Sequence, residues 1–141
     1  AIQPTSYWGS VKQLRPWVKK KKAWAQMMMG QMYRDGHGVK QSYEMARMLF
    51  ELAVEQGCVN AMYEFGIMYY HGRGVEQSYE KAFEYYERAA HLGHDKAQCN
   101  LGVMYYSGEG VEVDEENARK WWKKAAAQGC EQSIASLKQI A

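Results

Sequence analysis

The 141-residue sequence lacks any long apolar run. A transmembrane helix needs about 20 consecutive, predominantly apolar residues, and no stretch of this chain approaches that length. The apolar segment of a secretory signal peptide is missing as well. The chain begins at Ala1 rather than at a methionine, which is compatible with a removed leader or with a piece of a longer array. We therefore expect no membrane partner.

Cysteine is also scarce, and its number is odd. The chain has three cysteines, and an odd number is a poor basis for a framework of disulfides. Reduced thiols are typical of proteins in intracellular compartments. We therefore expect an intracellular location, with the cytoplasm favoured, while a compartment of the secretory pathway stays open as the alternative.

The sequence contains no complete motif for nucleotide or metal binding. Its Gly-x-Gly pairs follow predicted helices rather than strands, and no Gly-Lys-Ser/Thr follows them. His91, His94 and Cys99 lie close together in the sequence, but a zinc site needs four well-placed donors. No Cys/His arrangement recurs with an orienting acid, as covalent catalysis would require. We therefore expect no enzyme activity, no cofactor and no metal.

The sequence does contain a 36-residue unit written three times, over residues 25–60, 61–96 and 97–132, without an insertion. Eleven positions carry the same residue in all three copies. In the numbering of the first copy they are Ala25, Gly30, Met32, Tyr33, Gly36, Gly38, Val39, Glu44, Ala46, Ala53 and Gly57. A period of this length is typical of stacked structural repeats, each of which buries its apolar face only against its neighbours.

The first part of each unit predicts a helix. In the middle copy this helix is predicted over residues 60–71, with Met62, Phe65, Gly66 and Tyr69 on one face. Gly66 costs roughly 1 kcal/mol relative to alanine inside a helix, so its recurrence predicts close approach by the backbone of a neighbouring helix. The Gly-x-Gly pair then ends the helix, because glycine readily adopts the left-handed conformation of a helix C-cap.

The second part of each unit predicts another helix. Its N-cap residues are predicted to be Ser42, Ser78 and Asp114, whose side-chain oxygens can accept a backbone N–H. In the second copy the buried face is predicted to comprise Ala82, Tyr86 and Ala89. The corresponding residues of the third copy are Ala118, Trp122 and Ala125. A small–large–small spacing lets this helix nest against its partner.

The two ends of the chain depart from the repeat. Residues 1–24 predict a degenerate half-repeat with a basic run, in which Ser6 and Tyr7 hold the register of later units. Proline inside a helix costs about 3 kcal/mol, so Pro16 predicts a bend, or a boundary at Arg15. A second helix is then predicted from Trp17 through the lysines into the first repeat. At the other end, residues 131–141 predict a capping helix with an atypical outer face.

The unit A-x4-G-x-M-Y-x2-G-x-G-V, followed by E-x-A and A-x3-G, resembles the Sel1-like repeat, a relative of the tetratricopeptide repeat. The resemblance covers residues 25–132. It implies an all-α fold in which antiparallel helix pairs form a right-handed α-solenoid superhelix. It also implies a non-catalytic adaptor or scaffold that binds other proteins. The chain departs from many family members in having serine rather than aspartate at positions 42 and 78, but both residue types cap helices.

By resemblance to tetratricopeptide arrays, the first helices line the inner curve and offer a groove to a protein or peptide. The predicted partner-binding residues are Trp24, Met27, Gln31, Arg34, Asp35, Asn60, Tyr63, Ile67, Tyr70, His71, Cys99, Val103 and Tyr106, with Lys96 and Ser107 completing the third copy. Tyrosine, tryptophan and arginine are frequent interface anchors. The alternative that some of these side chains pack against the adjoining repeat stays open.

The second helices offer a weaker candidate surface at Trp121 and Trp122. Neighbouring residues on a helix diverge by about 100°, so we expect that both cannot face the core. Paired aromatic or apolar residues recur at this place in the other copies, as Tyr85–Tyr86 and Leu49–Phe50. The recurrence favours packing between repeats over a special site.

The lysine run 19–22 suggests an alternative function, as a nucleic-acid-binding or nuclear factor. Residues 1–36 carry seven basic side chains and one acidic one, whereas the rest of the chain carries 11 basic and 15 acidic ones. A single cluster on an acidic array disfavours nucleic acid. A β-lactam-binding enzyme is the weakest alternative, because the cysteines do not pair within repeats as in the cysteine-rich relatives. The oligomeric state is open, and array ends could stack.

Overall fold

The computed structural model describes residues 10–141, and their regular secondary structure is entirely α-helical. The helices are α1 (Val11–Lys19), α2 (Ala23–Asp35), α3 (Tyr43–Glu55), α4 (Val59–His71), α5 (Tyr79–His91), α6 (Asp95–Ser107), α7 (Glu115–Ala127) and α8 (Glu131–Ile140). Within each unit α2 packs on α3, α4 on α5 and α6 on α7, and each second helix also packs on the next first helix. The predicted all-α solenoid of antiparallel helix pairs is confirmed.

The second helices begin at the predicted capping residues. The Oγ atoms of Ser42 and Ser78 accept the N–H of Met45 and Lys81, each at 3.2 Å. Asp114 accepts the N–H of its third neighbour in the same way, at 3.0 Å. These contacts satisfy N–H groups that a helix N-terminus otherwise leaves without a partner.

The two glycines of a Gly-x-Gly pair have different tasks. Gly72 ends α4 with a left-handed φ of 69°. Gly74 lies against the preceding unit, and a Cβ atom there would come within 2.7 Å of the Tyr43 carbonyl oxygen. The pair therefore stops one helix and stacks the loop on its neighbour, which supports the structural interpretation over a phosphate cradle.

The mid-helix glycines receive an aromatic ring from the paired second helix. A Cβ atom on Gly66 would come within 2.7 Å of the Tyr86 ring, and one on Gly30 would come equally close to the Phe50 ring. The prediction of a close approach is confirmed, but its agent is a side chain rather than a backbone. The approach fixes the depth at which the two helices of a unit pack.

The second helices bury residues on two sides. The predicted core residues Tyr86 and Trp122 are both 3% exposed. Trp121 is 6% exposed as well, but the two rings enter different buried clusters. Adjacent tryptophans therefore do not face the same core, as expected, and the predicted packing between repeats is confirmed. The reason is that α7 has two partners: Trp122 faces α6 of its own unit, while Trp121 meets His91 of the preceding unit with ring centroids 5.0 Å apart.

The leading helix differs from its prediction. α1 runs from Val11 to Lys19 with Pro16 inside it, so the boundary predicted at Arg15 is wrong. Because proline has no backbone N–H, Pro16 removes one hydrogen bond from α1, the bond to the Lys12 carbonyl oxygen. Lys12 lies in the exposed first turn, where water can bond to that oxygen instead. The register residues Ser6 and Tyr7 lie outside the described part of the chain.

The helix predicted through the lysines is also wrong, because the chain breaks there. Lys21 has a φ of 57°, the left-handed conformation that glycine adopts at the equivalent positions of later units. Lys22 then becomes the N-cap residue of α2. α8 carries Lys138 where the earlier first helices have glycine, and Lys138 is exposed.

Candidate functional site

The first helices α2, α4, α6 and α8 meet along one side of the array, which we call the first-helix face. Their contacts join successive units directly. The Sγ atom of Cys58, just before α4, lies 3.9 Å from the Sδ atom of Met27 on α2. Tyr63 on α4 stacks on His94, just before α6, with ring centroids 4.5 Å apart.

A pocket of about 270 Å³ opens between α4 and α6, and we call it the central pocket. Its walls come from both helices and its rim from α8. The lining residues are Tyr63, Ile67, Tyr70, His71, Tyr86, Asn100, Val103 and Gln132. Five predicted partner-binding residues are brought together here, because Tyr63, Ile67 and Tyr70 recur at helical spacing on one face of α4.

The two tyrosines on the walls are held in place. Tyr63 stacks on His94, whose Nδ1 atom accepts the N–H of Ala97 at 3.1 Å. Burial lowers the pKa of His94, which is consistent with a neutral ring accepting that bond. Tyr70 donates its hydroxyl to the carboxylate of Glu109 at 2.9 Å. Burial, reinforced by this hydrogen bond, raises the pKa of Tyr70 to about 12.

The floor of the central pocket combines apolar surface with a few polar groups. Tyr86 is 3% exposed, and burial raises its pKa. The side chain of Asn100 lies beside the phenol groups of both Tyr63 and Tyr86. Such a pocket suits an apolar or aromatic side chain that also offers one hydrogen-bonding group.

The first-helix face has a second hollow, of about 390 Å³, between α2 and the start of α4. Three predicted residues line it: Trp24, Met27 and Asn60. Trp24 lies beside Trp17, with ring centroids 5.6 Å apart. This hollow extends the first-helix face toward α1.

Between these two hollows an ion pair bridges α2 and α4. Arg34 donates to the carboxylates of both Asp35 and Glu64. The hydrogen bond to Asp35 raises the pKa of Arg34, and the guanidinium lowers that of Asp35. Gln31 is half-buried one turn earlier on α2. Arg34 and Asp35 therefore contact each other, and Arg34 also contacts α4. None of Gln31, Arg34 and Asp35 lines a pocket described above.

The third unit departs most from the prediction. Cys99 is 1% exposed, so it does not belong to an open surface. It is covered because Cys130 and Ser133 at the start of α8 pack over it. Val103 lines the central pocket. Tyr106 is 42% exposed and lies beside Trp122, with ring centroids 5.6 Å apart.

A comparison with known protein families identifies the family of this chain. The sequence profile of the Sel1 repeat matches residues 25–58, 59–94 and 95–130. The chain belongs to the Sel1 repeat family. Its second and third units begin in that profile at the first residues of α4 and α6, two residues earlier than in the alignment of the sequence with itself.

Solved Sel1 repeat structures resemble this chain closely. A protective antigen of uropathogenic Escherichia coli, described as displaying an SLR fold, is 38% identical with a TM-score of 0.85; the alignment covers 87% of this chain and 26% of the antigen chain. A Sel1 repeat protein from Oxalobacter formigenes is 35% identical with a TM-score of 0.83, covering 92% and 97%. Cysteine rich protein B of Helicobacter pylori is 25% identical with a TM-score of 0.69, covering 90% and 96%.

No curated protein matches the chain. This chain spans about a quarter of the length of the Escherichia coli antigen chain, from the 26% coverage. Within residues 10–141 no helix is long and apolar enough to cross a membrane. Sel1 repeat proteins generally mediate protein interactions.

Sequence reasoning missed several residues of this Sel1 array. Asn100 occupies the register of Glu64, and both are polar residues that reach a neighbouring unit. The signal was available, because Asn100 precedes Val103 by three residues and so shares its face of α6. Glu109 gave no such signal. It is the middle residue of a Gly-x-Gly pair, yet its carboxylate reaches Tyr70 of the preceding unit.

Sequence reasoning also wrongly excluded a Ser-x-x-Lys stretch, which is present at residues 78–81. This motif supplies the nucleophile of some β-lactam-binding enzymes. Here the Ser78 hydroxyl caps α5 by accepting the Lys81 N–H at 3.2 Å. The Nζ atom of Lys81 lies 5.3 Å from the centroid of the Tyr69 ring. The stretch therefore has a complete structural explanation.

The remaining chemical candidates are dispersed. Lys19 and Lys21 share a cleft with Glu55, while the Nζ atom of Lys20 lies 5.2 Å from the centroid of the Trp17 ring. His91 packs on Trp121 and His94 on Tyr63, as described above. Within the described part of the chain, no three His, Cys, Asp or Glu side chains form a group that could hold a metal ion.

Proposed function

We propose that this Sel1 array is a non-catalytic scaffold that binds a protein segment along the first-helix face and anchors it in the central pocket. The observation that carries the proposal is the convergence of Tyr63, Ile67, Tyr70 and Val103 around one opening. Partly exposed tyrosines beside aliphatic side chains are typical of interface hot spots. The general role of Sel1 repeats in protein interactions supports the same function.

The size of the central pocket favours a side chain of a longer ligand. Its volume of about 270 Å³ is below the roughly 300–1,000 Å³ of small-molecule sites. The second hollow on the same face allows an extended or helical segment to make further contacts toward α2. A peptide is therefore a better fit than a free small metabolite.

The tethered tyrosines favour tight binding. Ordering a flexible side chain on association costs about 0.5–1.5 kcal/mol. Tyr63 is already stacked on His94, and Tyr70 is already hydrogen-bonded to Glu109. A ligand that binds between Tyr63 and Tyr70 therefore loses little affinity to side-chain ordering, because both side chains are already ordered in the folded protein.

A displayed library of random peptides, selected on the purified chain, tests the proposal. Peptides that bind the wild-type chain should fail to bind Ile67→Glu, which places a charge in the central pocket. Leu92→Glu is the matched control, because Leu92 is 59% exposed and lies outside the pocket. Val103→Glu serves as a second blocking variant if Ile67→Glu does not fold. Peptides that bind all variants equally would contradict the proposal.

A further inference from the structure

One contact recurs between successive first helices. A residue in the second turn of one first helix meets the residue that immediately precedes the next. In the first case the partners are Met27 and Cys58, with their sulfur atoms 3.9 Å apart. In the second they are Tyr63 and His94, whose rings stack. The third pair in this register, between α6 and α8, is Cys99 and Cys130.

The structure brings this third pair together at one place. Cys130 packs on the small buried cluster that contains Cys99, and its thiol contributes to the raised pKa of Cys99. Ser133, in the first turn of α8, is fully buried as well. Both cysteines border one cleft at the start of α8.

The two thiols differ in access. Cys99 is 1% exposed, whereas Cys130 is partly exposed. Burial, together with the neighbouring Cys130 thiol, raises the pKa of Cys99 to about 11. An external reagent therefore reaches Cys130 first, and Cys99 acts second.

We propose that Cys99 and Cys130 form a redox-active thiol pair, which a low-molecular-weight disulfide such as oxidised glutathione converts into a disulfide between α6 and α8. This pairing joins consecutive first helices, and it is independent of what the central pocket binds.

The reaction takes place in two exchanges. The Cys130 thiolate attacks one sulfur of oxidised glutathione, the glutathione S–S bond breaks, and a first glutathione thiolate leaves. Cys99 gives up its proton to solvent and attacks the Cys130 sulfur, and a second glutathione thiolate leaves. Two protein thiols are thereby oxidised by two electrons, and one glutathione disulfide is reduced to two thiols.

The disulfide would hold the last helix of the array in place. It closes the loop of residues 99–130, and loop closure removes conformational freedom from the unfolded chain. Fixing the first turn of α8 to α6 should therefore limit fraying of α8.

Cysteine mapping of the wild-type protein tests the proposal without any variant. The chain is equilibrated in glutathione buffers from fully reduced to fully oxidised, free thiols are alkylated, and the digest is examined by mass spectrometry. We expect a peptide pair linked through Cys99 and Cys130, formed within one chain. Cys58 is the internal control, because it has the same N-cap position but faces Met27 rather than a thiol. It should remain alkylated or carry glutathione alone.

Thermal unfolding gives a second readout. Oxidation should raise the Tm of the wild type and of Cys58→Ser by about 5–10 °C. It should leave the Tm of Cys130→Ser unchanged. Three outcomes would overturn the proposal. Cys99 and Cys130 could remain free thiols in fully oxidised glutathione, Cys130 could stop at the mixed disulfide with glutathione, or the disulfide could form between two chains.

Discussion

A Cβ atom built on Gly102 would lie 2.5 Å from the indole nitrogen of Trp122. The same relationship joins Gly30 to Phe50 and Gly66 to Tyr86. Each second helix therefore docks by setting an aromatic ring directly on the backbone of the first. This contact explains why α2, α4 and α6 each contain glycine in mid-helix, despite its cost of roughly 1 kcal/mol relative to alanine.

We expect Gly102→Ala to lower the free energy of unfolding by about 1–3 kcal/mol, because overpacking against Trp122 outweighs the gain in helix propensity. Urea denaturation measures the change. Lys138 provides the control, since it holds the same register on α8 and is exposed. Lys138→Ala should alter stability by less than about 0.5 kcal/mol. A Gly102→Ala chain as stable as the wild type would show that the protein tolerates a Cβ atom against the Trp122 ring, and would contradict the prediction.

Lys21→Gly should stabilise the chain by about 0.5–1 kcal/mol, because a left-handed conformation is costly for a residue with a Cβ atom. The φ of Lys21 is 57°. Gly57→Ala is the reciprocal test. Its φ is 82° and no atom lies within 4 Å of the added Cβ, so any loss reports the backbone alone. A lower free energy of unfolding for Lys21→Gly than for the wild type would contradict a backbone cost at residue 21.

The outer face of α3 carries three exposed apolar residues, Met45, Met48 and Leu52, which are 37%, 51% and 44% exposed. The next unit has Lys81, Glu84 and Arg88 at these positions. Exchanging Met48 and Leu52 for glutamate and arginine should therefore change the free energy of unfolding by less than about 0.5 kcal/mol. Urea denaturation provides the measurement, and a loss above about 1.5 kcal/mol would mean that these side chains are part of the core.

The helix pairs, their caps and the buried alanines were predictable, because the repeated identities specify them locally. The two errors at the start of the array concern the lysine run and Pro16. The lysine run was interpreted as continuous helix from propensity, whereas position 21 inherits the left-handed conformation of glycine in later units. The boundary at Arg15 was inferred from the cost of proline, whereas Pro16 lies inside α1.

The first-helix face was predictable only in part. Helical spacing on α4 correctly grouped Tyr63, Ile67 and Tyr70. It could not show that α8 covers Cys99, or that the glutamate of a loop reaches Tyr70 from the next unit. Contacts between units depend on how the repeats stack, and a single helix pattern contains no such information.

The Tyr70 hydroxyl should lose its proton at a higher pH than an ordinary tyrosine. Its pKa is raised to about 12, above the value of about 10 for an unfolded tyrosine. The folded state therefore holds the proton more tightly, and the stability this contributes is fully present below pH 10 and lost between about pH 10 and 12. The difference in ultraviolet titration between wild type and Tyr70→Phe should isolate this group. A difference curve centred near pH 10 would contradict the burial and the bond to Glu109.

The first-helix face should recognise its ligand mainly by apolar and aromatic contact. Phosphate-type contacts through lysines lose affinity steeply as salt rises, whereas burial of tyrosine and isoleucine does not. Salt dependence therefore separates the central pocket from the cluster at Lys19–Lys22. The comparison is meaningful only for a ligand first obtained on the wild-type chain.

Calorimetric titration of the tightest selected peptide tests the central claim most directly, with wild type, Ile67→Glu and Leu92→Glu measured at low and high salt. We predict that Ile67→Glu weakens binding by about tenfold or more, equivalent to about 1.4 kcal/mol. Leu92→Glu should leave the affinity unchanged, and salt should alter it little. Equal affinity for wild type and Ile67→Glu, or a steep loss of affinity with salt, would contradict an anchoring role for the central pocket.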